Sequence, residues 1–196
     1  MKITIYALLI VLLALSVFSV PTFSASGSDR VGDNLRWGHP TDGLQMSLMS
    51  TDPAGSELQV AFRNVGRKDV VLNLGSMLAN GQVQLPHRIG INFTDGRGKT
   101  RLFEFADKKH SFVAGRVDDF IVALRVGSMY TLTLTPDQFW CQETQEFEIP
   151  LTTGKNSLTG QFEGKGAQSV NLDSPGVALL NFWLGKVESN TLVIER

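Results

Sequence analysis

An antiparallel β-sandwich is the fold class this sequence predicts, and three observations predict it. Apolar and polar residues alternate with period two in run after run beyond residue 40, a pattern that a helix with its 3.6-residue period does not produce. Turn-forming residues separate these runs at short intervals. Glycine is abundant, at 19 of 196 residues, and the 42% hydrophobic content suits one ordinary core rather than a disordered or fibrous chain.

The first element in the chain is not a strand. Met1-Lys2 precede an apolar run from Ile3 to Val20, followed by Pro21 and the small stretch Ser24-Ala25-Ser26-Gly27-Ser28. A positive start, an apolar middle and a small-residue exit are the layout of a secretory signal peptide. Residues 1–24 are assigned to it, 25–35 to a short linker and 36–196 to the β-sandwich domain. Cleavage after Ser24 places Thr22 and Ser24 at the recognised positions, and cleavage after Ser26 uses Ser24 and Ser26. The alternative is a retained anchor helix, because the run is close to the lower limit of about 17 residues for spanning a bilayer. A lipid anchor on an N-terminal cysteine is not expected, since the only cysteine is Cys141.

The strands follow in order. One-sided apolar faces are formed by Leu44, Met46 and Leu48, then Leu58, Val60 and Phe62, then Val70, Leu72 and Leu74. Ile89, Ile91 and Phe93 form the next, followed by Phe120, Val122, Leu124 and Val126, and then Tyr130, Leu132 and Leu134 against three threonines. Such faces belong to antiparallel sheets with one side on a core and one in water. The expected core includes Leu44, Val60, Phe62, Leu72, Ile91, Phe120, Val122, Leu132 and Leu134.

Turns are expected at Pro53-Ala54-Gly55, Asn64-Val65-Gly66, Asn80-Gly81 and Gly127-Ser128. The clearest hairpin runs from Arg88 to Ala106 about Asp95-Gly96-Arg97-Gly98. A second is expected between the strands around Phe120 and Tyr130, and a last one between Phe182-Trp183-Leu184 and Thr191-Leu192-Val193-Ile194, turning near Ser189-Asn190. Residues Thr152 to Gly176, rich in Gly, Ser, Thr, Asn and Lys, read as loops around one or two weak strands and as the most mobile part. Seven to ten short strands at this spacing point to an immunoglobulin-like sandwich, with a closed barrel as the alternative.

Trp37-Gly38 leading to Asp42-Gly43-Leu44-Gln45, Phe62-Arg63-Asn64-Val65-Gly66, and Val117-Asp118-Asp119-Phe120 through Gly127-Ser128-Met129-Tyr130-Thr131-Leu132 carry a resemblance. Together with Trp183-Leu184-Gly185-Lys186 and Ser189-Asn190, they make most of the chain after residue 24 resemble uncharacterised secreted bacterial immunoglobulin-like domains. The resemblance implies a sandwich with no catalytic residues to carry over. It also implies adhesion, spacing or ligand binding as the kind of role.

Charge and composition exclude several functions. There are 18 Lys+Arg against 19 Asp+Glu, so no basic field is available to hold nucleic acid. Loss of Lys2 with the signal leaves a net charge of about −2, too small to imply a charged partner. Three histidines and one cysteine leave little for a zinc site or a disulfide framework. Cys141, beside Phe139 and Trp140, reads as a small buried hydrophobe, the sharper alternative being a reactive thiol or an intermolecular bridge.

The remaining motifs are weak. Gly98-Lys99-Thr100 resembles the end of a phosphate loop, but Phe93 stands where that motif requires glycine, so hairpin-turn glycines are the better reading. No Gly-x-Ser-x-Gly elbow is present, and His39, His87 and His110 lie in separate loops without an associated serine. Asp118-Asp119 with Asp95 or Asp107 offers oxygen ligands for calcium, yet adjacent strand residues point to opposite faces and no complete ligand pattern appears. The glycosylation triplet Asn92-Phe93-Thr94 reads as chance. Trp37, Trp140 and Trp183 would make a sugar-stacking platform if exposed; large aromatics more often fill cores, and at most one is expected at the surface.

These readings give an expected function. The chain is expected to be a non-catalytic, secreted or periplasmic module that binds an unknown protein or glycan partner or scaffolds an assembly, with the loops near Asp118-Asp119 and Thr152–Gly176 carrying recognition. No catalytic residue, metal or cofactor is assigned, and neither nucleic acid nor, after signal cleavage, membrane is a partner. The alternatives are a carbohydrate-binding module using an exposed tryptophan, and a small hydrolase or metal enzyme built from distant loops with His39, His87 or His110.

Overall fold

Backbone hydrogen bonding organises the alternating runs into eleven strands among the described residues of the computed structural model, 35–74, 88–106, 121–165 and 181–196. They are β1 (Leu44–Ser50), β2 (Leu58–Asn64), β3 (Val70–Asn73), β4 (Ile89–Thr94), β5 (Thr100–Phe105) and β6 (Ile121–Leu124). β7 (Met129–Leu134), β8 (Phe139–Cys141), β9 (Glu146–Phe147), β10 (Lys155–Gly164) and β11 (Gly185–Glu195) complete them, with one 3-10 turn at Pro136–Gln138. The signal-peptide assignment 1–24, the turn at Asn80-Gly81, Phe120, His87, His110, Asp107 and Asp118-Asp119 lie outside the described residues.

The described residues form an all-β fold, and the eleven strands pair antiparallel throughout. A large sheet has six strands in the order β11-β10-β4-β5-β8-β9, a small sheet has three in the order β1-β2-β7, and β3 and β6 form a ribbon. The apolar faces meet in one core. Phe62 of the small sheet packs edge-on against Phe162 of the large sheet at a centroid distance of 5.1 Å, and Trp183 stacks on Phe162 at 5.7 Å.

The expected core is largely found. Leu44, Val60, Phe62, Leu72, Ile91 and Leu134 are buried, whereas Val122 and Leu132 are only half-buried at its margin. Val126 is exposed, because the strand it was expected to extend ends at Leu124 and the chain turns. Replacing Leu134 by alanine is therefore expected to cost about 2–5 kcal/mol. Leu132→Ala should cost less, and the exposed Thr133→Ala should stay within about 0.5 kcal/mol. Urea unfolding of the three variants checks the facing, and equal losses at 133 and 134 would contradict it.

The Arg88–Ala106 hairpin forms as β4 and β5, with Asp95 Oδ1 accepting the backbone N–H of Arg97 and Lys99 to hold the turn. The hairpin expected around Phe120 and Tyr130 does not. β6 pairs with β3 and β7 with β2, so the turn at Gly127, where φ is +75°, carries the chain from the ribbon to the small sheet. Asn64 fixes that crossing. Its buried side-chain amide donates to the carbonyls of Leu124 and Lys68, and its backbone bonds to Gly127 and Ser128.

Two further expectations fail, for related reasons. Lys155–Gly164, expected as at most a weak strand among loops, is a ten-residue strand lying between β11 and β4 in the large sheet. Its inward positions are Asn156, Leu158, Gly160, Phe162 and Gly164. The two glycines hide the alternation from a hydrophobicity count, yet they face the core: a Cβ at Gly160 would lie 2.8 Å from Met46 Cε, and one at Gly164 2.4 Å from Trp183 Cε3. Neighbouring side chains fill the space that these residues leave empty.

Ser189-Asn190 is not a hairpin turn. β11 runs continuously through it, and the register with β10 passes from Thr159↔Thr191 to Gln161↔Glu188. Two steps on β10 oppose three on β11, the signature of a β-bulge. The bulge places Asn190 against the edge of β1, where its side chain donates to the Leu48 carbonyl at 2.9 Å and accepts the Leu48 N–H at 3.0 Å. One amide thus acts as a partner strand for β1, and the exposed edge that invites aggregation is closed.

Candidate functional site

The segment before β1 builds the site. Gly38 donates its N–H to the Met46 carbonyl, and Ser47, buried although it faces away from Met46 and Leu48, donates its hydroxyl to the Arg36 carbonyl. This binding lays residues 36–41 along β1 and against β11. The approach is close enough that a Cβ at Gly38 would lie 2.0 Å from the Glu188 carbonyl oxygen. Only glycine fits there.

Between this segment and β11 lies a groove of about 750 Å³, lined by Trp37, His39, Gln45, Lys186, Glu188 and Thr191, among others. Its volume falls within the roughly 300–1,000 Å³ typical of small-molecule sites. Trp37 is half-buried, with the Arg63 guanidinium 4.4 Å from its ring centre. Arg63 donates to Gln45 Oε1 at 2.7 Å, and Gln45 Nε2 donates to the Gly38 carbonyl at 3.1 Å. A continuous chain of contacts from β2 through β1 therefore fixes the orientation of the Trp37 ring. An aromatic held this way binds with little further loss of side-chain freedom.

The polar wall divides into used and unused groups. Asn190 and Ser189 spend their side chains on the bulge, Ser189 Oγ accepting from Gly160 N and donating to the Asn190 carbonyl. Lys186 and Glu188 form an exposed ion pair at 3.1 Å, so the wall carries no excess charge. The Trp37 indole N–H and the exposed His39 ring have no protein hydrogen-bond partner among the described residues. An amphipathic ring with free polar groups around it can stack on a ligand and accept or donate hydrogen bonds.

Of the motifs singled out in the sequence, His39 stands on the lip of this groove. Asp95 is committed to its turn, and its carboxyl is held below the ordinary range chiefly by the Lys99 backbone N–H. Gly98-Lys99-Thr100 belongs to the β4–β5 hairpin, with Gly98 at φ +82° and Lys99 paired to Glu143 at 2.7 Å. Cys141 is fully buried. Asn92 donates to Gln161 Oε1 from the outer surface of the large sheet. Trp183 is a core residue whose indole donates to the Asp42 carbonyl at 3.3 Å. Trp37 and Trp140, by contrast, are half-buried, so none of the three tryptophans is fully exposed.

Sequence reasoning did not find Gln45, Arg63, Lys186 or Glu188. Each is an ordinary outward polar position on a strand, and only the bulge and the docking of residues 36–41 bring them to one place. Among the described residues no cluster of three or more His, Cys, Asp or Glu side chains is placed to hold a metal. Comparison with protein-family models, curated proteins and solved structures finds no match.

Proposed function

We propose that this chain is an exported, non-catalytic binding module of immunoglobulin-like sandwich build, whose ligand sits in the groove between residues 37–41 and β11. The observation that carries this reading is the fixed Trp37 ring beside a charge-balanced polar wall. Export rests on the order of charge, apolar run and small residues in positions 1–28. The sandwich reading is supported by two antiparallel sheets packed through one core. Recognition is assigned to the groove in place of the 152–176 segment, because residues 155–164 are committed to the interior of the large sheet.

Incorporating a benzophenone amino acid in place of His39 tests the reading, since the excited ketone inserts into C–H bonds of proteins and glycans alike. Irradiation of cells that make the full chain should give a discrete adduct in the exported fraction. The same probe at Thr153, exposed on the loop before β10, should not. Adducts of equal yield at both positions, or none at His39, would contradict a ligand in the groove.

A further inference from the structure

Directly opposed residues on neighbouring antiparallel strands project to the same face of a sheet. The large sheet carries one such row from edge to edge: Glu188 opposes Gln161, Gln161 opposes Gly90, Gly90 opposes Glu104, Glu104 opposes Trp140, and Trp140 opposes Phe147. Each interior member lies between two buried residues, so the row faces outward. Glu104, for example, stands between Phe103 and Phe105, and Trp140 between Phe139 and Cys141; Glu188 at the row's end likewise lies between the buried Val187 and Ser189. Glu188 also lines the Trp37 groove, so groove and row form one continuous strip. Six strands give about five spacings of ~4.8 Å, or about 24 Å from Glu188 to Phe147.

The chemistry of the strip is specific. Partly exposed tryptophans stand towards its two ends, Trp37 in the groove and Trp140 across the sheet. Between them lie the Glu104 carboxylate, which has no hydrogen-bond or ion-pair partner among the described residues, and Gln161, whose Oε1 accepts from Asn92 while its Nε2 has no acceptor there. At the middle of the row Gly90 has no side chain, and the Leu102 and Gln161 side chains cover it. We infer that the strip binds a neutral oligosaccharide chain laid across the strands. Sugar rings would stack on Trp37 and Trp140, and their hydroxyls would bond to Glu188, Gln161 and Glu104.

Other ligand classes fit less well. An anionic chain or phosphate meets Glu104 with no free cation in the row, since Lys186 is paired with Glu188. A protein partner ordinarily needs an apolar interface core at the centre of the patch, whereas on this face Trp140 and Phe147 lie together at one end of the row, and Leu102 and Val193 stand among threonines, Asn92 and Gln161. This inference rests on the groove reading above and extends it across the sheet.

Titration calorimetry of the full chain with cellohexaose, chitohexaose and mannohexaose, each beside its disaccharide, tests it. At least one hexasaccharide should bind about tenfold tighter than its disaccharide, and Trp37→Ala and Trp140→Ala should each weaken that binding about tenfold or more, in keeping with the usual cost of truncating an aromatic anchor. Trp140→Phe should retain most of it, and trigalacturonic acid should not bind. If Trp140→Ala lowers the melting temperature, the surface variant Glu104→Ala replaces it, with the same direction of effect expected. No binding of any hexasaccharide at millimolar concentration would overturn the inference. Loss on Trp37→Ala without loss on Trp140→Ala or Glu104→Ala would overturn the strip while leaving the groove and the proposed function in place. A protein adduct at His39 with no saccharide binding would do the same.

Discussion

Phe162→Ala is expected to destabilise the protein by about 3–5 kcal/mol, the range for removing a buried phenyl ring. Phe162 is fully buried on β10 and touches both Phe62 of the small sheet and Trp183 of the segment leading into β11. The inward positions on either side of it are Gly160 and Gly164, which have no side chains to swing into the void. Their space is already occupied by Met46 and Trp183. The cavity therefore stays open, and the cost should fall at the upper end. Denaturant unfolding measures it, and a loss below about 1 kcal/mol would mean that the sheets do not meet through this ring.

Asn190→Ala is expected to cost about 1–3 kcal/mol, because it strips both backbone groups of the buried Leu48 of their partner. The effect is one of unmet hydrogen bonds rather than lost volume. Asn190→Asp discriminates between the two: aspartate keeps the size and still accepts from Leu48 N–H, but cannot donate to the Leu48 carbonyl. Aspartate should therefore be no better tolerated than alanine. Full stability of the aspartate variant would show that shape alone holds β1 against β11. Since residues 36–41 lie along the same edge of β1, either substitution should also loosen the groove and weaken any ligand bound there.

Much of this architecture was legible in the sequence because strands with one wet face reveal themselves by period two. β1, β2, β4 and the β4–β5 hairpin all follow from alternation and turn residues. What escaped shares a cause. β10 shows in the sequence only as a weak strand among loops, because Gly160 and Gly164 occupy inward positions, where hydrophobicity counts score them as breakers and the fold uses them as clearance for Met46 and Trp183. Asn190 was read as a turn residue because its amide suits turns, whereas here it supplies backbone-like hydrogen bonds to another strand. The β6–β7 link failed because a turn signal reports that the chain reverses, not which strand it then pairs with.

The candidate site was less legible than the fold. Trp37 and His39 were visible as residues of interest, but the groove exists only because residues 36–41 return to β1 through Gly38 and Ser47. The row from Glu188 to Phe147 depends on the register of five strand pairings. Register over such distances is set by packing of the whole sheet, and no local pattern encodes it.

The indole N–H signals of the three tryptophans in a nitrogen–proton correlation spectrum provide the most direct test of the central claim, that one strip of the large sheet and its groove take the ligand. During titration of the full chain with the hexasaccharides, the Trp37 and Trp140 indoles should shift together along one binding curve. The Trp183 indole, buried and donating to the Asp42 carbonyl, should stay in place. Perturbation of Trp183 with Trp37 and Trp140 unmoved, or shifts confined to backbone amides of β1, β2 and β7, would contradict the account.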